Sequence, residues 1–146
     1  MAPETMRTFL TRSPAATRAL GESLGRRLPA GSIVALDGDL GSGKTCFVQG
    51  LAAGLGVADP VTSPTYTVGH RYEGDPDVSH LDLYRFTGVS AAEWADLEPY
   101  FDDAIVFVEW PEAGLGALPP ASFAVSLSYG EGDARIVAVS DADPRV

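Results

Sequence analysis

The chain has 146 residues, 45% of them apolar and 21% charged, which is the size and balance of one folded domain around one core. Twenty acidic against ten basic residues give a net charge of −10. That balance argues against direct tight nucleic-acid binding, because neutralising phosphates needs a basic face. No apolar run approaches the ~20 residues of a membrane helix, and without a basic n-region followed by an apolar stretch no secretory signal is expected. Cys46 is the only cysteine, so no internal disulfide can form. The expectation is a cytoplasmic protein.

In chain order, Arg7 to Thr11 suits a short strand. Ser13-Pro14 is a helix start, a capping hydroxyl followed by proline at the first helical position, and the helix should run to about Leu28. Ser32 to Leu36 is a compact apolar run with the look of a buried strand. A glycine-rich turn, Gly38 to Gly43, leads into a helix from Lys44 to about Leu55, stopped by Gly56. Thr65 to Tyr72 alternates with β-prone residues after a break at Ser63-Pro64. Val78 to Tyr84 suits a strand, and Ser90 caps a short helix through Leu97. A second short helix is expected over Glu98 to Asp102. Ala104 to Val108 is the clearest strand. Ser122 to Tyr129 and Ala134 to Ser140 suit a hairpin around Gly130-Glu131-Gly132. The expected fold is α/β: a single domain over residues 1–146, with loose ends at 1–6 and 141–146. It would have a mainly parallel central sheet flanked by helices and a C-terminal β-hairpin.

Gly38-Asp39-Leu40-Gly41-Ser42-Gly43-Lys44-Thr45 matches G-x-x-x-x-G-K-[ST], between a strand and a helix as the phosphate-binding loop requires. From this composition roughly 0.002 chance matches are expected in the chain. Glycines let the backbone N–H groups wrap a phosphate, and the helix start adds the positive end of its dipole. Lys44 would reach the β- and γ-phosphates, and Thr45 would set its hydroxyl on Mg²⁺. Lys44 is the only lysine of the chain. Asn is absent, so the Asn-Lys-x-Asp guanine motif cannot be present and ATP is favoured.

Two acids end strand-like runs. Glu109 closes Ile105-Val106-Phe107-Val108-Glu109 as a Walker-B carboxylate would, where it would face the loop and hold Mg²⁺ directly or through water. Asp82, in His80-Leu81-Asp82-Leu83-Tyr84-Arg85, would orient water or a metal-bound water. Ser63-Pro64-Thr65 stands where a γ-phosphate-sensing switch would, and equally suits an ordinary turn. His80 is either a base or a structural hydrogen-bonding residue. Cys46, inside the helix after the loop, reads as a small core residue. Three activities remain open on these residues: an ATPase, a kinase for a neutral small-molecule acceptor, and a non-hydrolysing ATP-binding switch.

Together with Val61-Thr62-Ser63-Pro64-Thr65-Tyr66 and Val108-Glu109-Trp110-Pro111-Glu112, these motifs resemble the TsaE (YjeE) family over roughly residues 13 to 140. The resemblance implies a P-loop ATPase that works with TsaD and TsaB. Those partners make N6-threonylcarbamoyladenosine (t6A) at tRNA adenosine 37, and ATP turnover sustains their cycle. It implies Lys44, Asp82 and Glu109 as catalytic residues, and Thr45 and Glu109 at the metal. The nucleotide site would comprise Ser13, Gly38, Asp39, Leu40, Gly41, Ser42, Gly43, Lys44, Thr45, Cys46, Thr65 and Arg135. Its adenine side would lie around Thr11 to Ser13, with Arg135 from the hairpin as a neighbour.

Between Glu73 and Glu112 stand eleven acids and one base, Arg85. This stretch is expected to form a negative surface beside the nucleotide and to dock on a basic partner face. Tyr84, Arg85 and Trp110, of types enriched at interface hot spots, flank the two acids.

Overall fold

The computed structural model describes residues 6–38, 43–57, 69–83, 86, 88–109 and 117–140. Asp39, Leu40, Gly41, Ser42, Thr65, Tyr84, Arg85 and Trp110 lie outside the described residues. Strand β1 is Met6–Thr11, helix α1 Pro14–Gly25, β2 Ile33–Gly38 and α2 Lys44–Gly54. Then come β3 Gly69–Tyr72, β4 Asp77–Asp82, α3 Ala91–Leu97 and a 3-10 turn at Glu98–Phe101. Strands β5 Ala104–Glu109, β6 Phe123–Tyr129 and β7 Arg135–Ser140 complete the described elements.

The helix starts follow local chemistry. Ser13 caps α1, its Oγ accepting from the Ala16 N–H at 3.1 Å, with Pro14 at the first helical position. Ser90 and Glu93 form a complete capping box at α3. Helix α1 ends at Gly25, earlier than Leu28, and the chain turns through Arg26 and Arg27.

One seven-stranded sheet carries the strands in the order β1-β7-β6-β2-β5-β4-β3. The expected C-terminal hairpin is present as β6 and β7. The expectation of a mainly parallel sheet is corrected: the sheet is mixed. β2 runs parallel to β5 and β6, and β4 to β5, while β1–β7, β6–β7 and β3–β4 are antiparallel. The antiparallel pairs lie on either side of the parallel core, and a pair such as β1 with β7 joins opposite ends of the chain, which local hydropathy does not encode.

Side chains alternate between two faces. Val34, Leu36, Ile105 and Phe107 join Phe47, Val48 and Leu51 of α2 in the larger core cluster. Val106 and Val108 join Leu81, Leu83 and Leu97 in the smaller one on the other face. Each of these fully buried aliphatic or aromatic side chains contributes ~1.5–3 kcal/mol of transfer free energy. Helices α1 and α2 pack through glycines. A Cβ at Gly50 would run into the carbonyl oxygen of Arg18, and one at Gly25 into that of Leu51. The helix backbones therefore touch, which fixes α1 against the second half of α2.

Candidate functional site

Five residues, 39–43, separate the end of β2 from the start of α2. Gly43, at the cap position of α2, has φ of +100°, which costs glycine little and an L side chain much. Its carbonyl accepts the first helical hydrogen bond from the Phe47 N–H at 2.9 Å. Lys44 follows as the first helical residue and is buried, and Thr45 is exposed. Strand β2 has parallel neighbours on both sides, which is where open α/β sheets form a crevice at their carboxyl ends.

The two acids meet at that end. Asp82, the last residue of β4, lies in register with Glu109, the last residue of β5, and Glu109 is also in register with Leu36 of β2. By strand alternation Asp82, His80 and Glu109 share the face of Val78, Ile105 and Phe107, the face covered by α2. The Leu83 N–H donates to the Glu109 carbonyl at 3.1 Å and extends the pairing past the last registered residues. Among the described residues, Lys44, His80 and Glu109 are the only buried Lys, Arg, His, Asp or Glu side chains. Burying such groups is unfavourable away from partners, and here they gather at one end of one sheet face.

A second recess of about 140 Å³ adjoins the turn. Pro14 and Thr17 of α1, Gly43 and Cys46, and Asp133 and Arg135 of the hairpin line it. The first turn of α1, Gly43, Cys46 and Arg135 are thus brought together. Ser13 is spent on its cap, and its neighbours Pro14 and Thr17 form the wall. Thr17 donates to the Ser13 carbonyl at 3.2 Å, so Thr11 is the donor in the 2.7 Å bond between the two threonine hydroxyls. The Arg135 guanidinium lies 4.8 Å from the Tyr129 ring centroid, and its Nη1 donates to the Ala134 carbonyl at 2.8 Å. Sequence reasoning missed Thr17, Tyr129 and Asp133. Only Thr17 carried a local sign, standing one helical turn beyond the Ser13 cap.

Residues 11–137 match the model of the family described as threonylcarbamoyl adenosine biosynthesis protein TsaE. The chain belongs to the TsaE family. It is 38% identical to the tRNA threonylcarbamoyladenosine biosynthesis protein TsaE of Treponema pallidum, over 81% of this chain and 88% of that one. The TsaE protein of Nostoc is 41% identical, over 82% of this chain and 76% of that one. That of Mycobacterium tuberculosis is 36% identical, over 89% and 78%. The crystal structure of Bacillus subtilis YdiB superposes with a TM-score of 0.78 at 26% identity, covering 99% of this chain and 91% of that one. Membership in TsaE places the chain in tRNA threonylcarbamoyladenosine biosynthesis. No helix among the described residues is long and apolar enough to cross a membrane.

Five acids of the acid-rich stretch of this TsaE chain fall at two opposite ends of the strands. Asp82 and Glu109 stand at the carboxyl ends of β4 and β5, whereas Asp77, Asp102 and Asp103 stand at or before the amino ends of those strands. There Arg71 donates to Asp77 at 3.1 Å and to the Asp102 carbonyl at 2.7 Å. These acids do not flank the turn, because each strand carries its two ends to opposite edges of the sheet. That corrects the expectation of one negative surface beside the nucleotide.

Proposed function

We propose that this TsaE-family chain binds ATP with Mg²⁺ at the turn between β2 and α2 and hydrolyses it. We further propose that it does so with TsaD and TsaB, to sustain their cycle of t6A formation at tRNA adenosine 37. The observation that supports this best is the register pairing of Asp82 with Glu109 on the face where α2 presents Lys44.

The donor set fits Mg²⁺. This ion takes oxygen ligands and is held by one or two carboxylates with substrate phosphates and water, not by a cage of protein groups. Thr45, Glu109 and Asp82 offer a hydroxyl and two carboxylates. Among the described residues no group of three or more His, Cys, Asp or Glu forms a cage. Glu109 and Thr45 would hold the ion, which when bound would neutralise charge on the β- and γ-phosphates. Backbone N–H groups of Gly38 to Thr45 would cradle the phosphates. Lys44, buried at the helix start, would place its ammonium on the β- and γ-phosphate oxygens. Asp82 would orient the attacking water. The recess beside Gly43 would take the base, with Pro14, Thr17, Cys46 and Arg135 around it. Thr65 would sense the γ-phosphate.

The test is phosphate release from ATP by the purified chain, alone and with TsaB and TsaD, for wild type and for Lys44→Ala, Thr45→Ala and Asp82→Asn. The expected outcome is a partner-stimulated rate in wild type and background rates for the first two variants. Asp82→Asn should bind nucleotide and turn over slowly. Wild-type rates in Lys44→Ala would remove the turn from the reaction. Phosphate appearing on a small acceptor in place of water would make the chain a kinase.

A further inference from the structure

We infer that His80 is a positioning residue for Glu109, holding one oxygen of that carboxylate so that the other is left for the metal. The inference rests on the reading of Glu109 as a metal-associated acid. His80 lies in register with Phe107 on β4, and Glu109 lies two residues beyond Phe107 on β5, so the two side chains meet across neighbouring strands on one face. His80 Nε2 stands 2.5 Å from Glu109 Oε2, and the side chains are 1% and 5% exposed. An ionised carboxylate can only accept, so the Nε2 hydrogen is the donor in this bond. The second oxygen, Oε1, makes no hydrogen bond or ion pair among the described residues.

The other ring nitrogen is informative. Nδ1 of His80 is buried and has no hydrogen-bond partner among the described residues. A histidine kept for stability alone would have both nitrogens satisfied, since an unpaired buried polar atom is unfavourable. An aliphatic residue would fill the position without that penalty, as Val78 and Leu81 do on the same strand. What His80 does in exchange is donate one short bond that locks the Glu109 side chain. Its burial also argues for positioning over the role of base. With Nε2 engaged and Nδ1 buried, the ring presents no nitrogen to an attacking water.

The experiment compares His80→Gln, His80→Asn, His80→Leu and Glu109→Gln in the full chain. The Gln amide reaches the place of Nε2, whereas the shorter Asn amide reaches only the place of Nδ1. Two quantities are measured: the Mg²⁺ concentration for half-maximal turnover, and the affinity for ATP by calorimetry with Mg²⁺ and with EDTA. Loss of an outer partner of a metal ligand weakens metal binding by about tenfold to a hundredfold. His80→Asn and His80→Leu should raise the Mg²⁺ midpoint by that amount and abolish the gain in ATP affinity that Mg²⁺ provides. ATP affinity in EDTA should stay near wild type, and His80→Gln should restore most of the loss. Equal behaviour of the Asn and Gln variants would overturn the inference even if His80→Leu failed to fold. A shifted midpoint in Glu109→Gln with a wild-type midpoint in all His80 variants would overturn it while leaving Glu109 at the metal. An unshifted midpoint in Glu109→Gln would overturn both.

Discussion

The two halves of the sheet solve different problems. In the parallel half, β2, β5 and β4, the central strand β5 is buried at every residue from Ala104 to Glu109, between α2 on one face and α3 on the other. In the antiparallel half, β6, β7 and β1, one face packs under α1 and the other is open. Ile136 and Leu10, in register across β7 and β1, are 38% and 55% exposed there. Among the described residues, the three buried Lys, His and Glu side chains belong to the parallel half and the helix that follows β2. Parallel neighbours end at the same edge, so their terminal residues converge, and burial on both faces removes the water that would weaken their electrostatics. The hairpin half supports α1 and delivers Arg135 to the recess.

The contrast is broken most directly through activity. Glu109→Gln should lower ATP turnover by about a hundredfold or more, the scale for losing one preorganised charge at the reacting phosphates. Ser126→Ala, on the open face of β6, should leave turnover unchanged. A phosphate-release assay on both variants checks this, and equal rates would abolish the division of labour.

Stability should show the same division with one substitution in two places. Ile105→Ala removes a fully buried side chain from the parallel half and should cost about 2–5 kcal/mol. Ile136→Ala, in the open face, should cost no more than about 0.5 kcal/mol. Urea unfolding of the two variants, read at constant m-value, measures the difference. Between the halves lies the glycine contact of α1 with α2. Gly50→Ala should destabilise by about 1–3 kcal/mol, because the added methyl meets the Arg18 carbonyl and forces the helices apart. Thermal melts would show a lowered midpoint, and an unchanged midpoint would mean that the helices yield without strain.

The smallest effect is acid sensitivity at the rim of the parallel half. The Ser90 backbone N–H and then its hydroxyl hold the Glu93 carboxyl below its ordinary range. The Gly74 N–H and then the Arg71 guanidinium do the same for Asp77. A carboxyl whose pKa is lowered by folding contributes stability above its unfolded pKa, and that contribution is lost as pH falls through the folded value. Wild type should therefore lose stability below about pH 4, and Ser90→Ala should lose less over the same interval. Parallel acid profiles for the two chains would assign the loss to other groups.

Much of this was legible in the sequence because it depends on short-range chemistry. Ser13-Pro14 and Ser90-x-x-Glu93 mark helix starts through caps that close within four residues. The glycine-Lys-Thr motif marks its turn because few backbones other than glycine take a positive φ there. Both acids were found at strand ends, since a polar residue closing an apolar run stands out. The family resemblance placed Arg135 beside the start of the first helix, but the shares of Thr17 and Asp133 in the recess were not legible, because its walls come from opposite ends of the chain.

By itself the sequence determined the kind of elements, the placing of the turn between β2 and α2, and the family through motifs that survive at 36–41% identity among the relatives described above. Only the tertiary structure decided the direction of the strands, the separation of the acidic residues into two edges, and the contact of His80 with Glu109 across 29 residues of chain. The reason is physical. Caps, turns and hydropathy periods are set by neighbours a few residues apart, whereas register and partner choice depend on how distant segments share one buried surface.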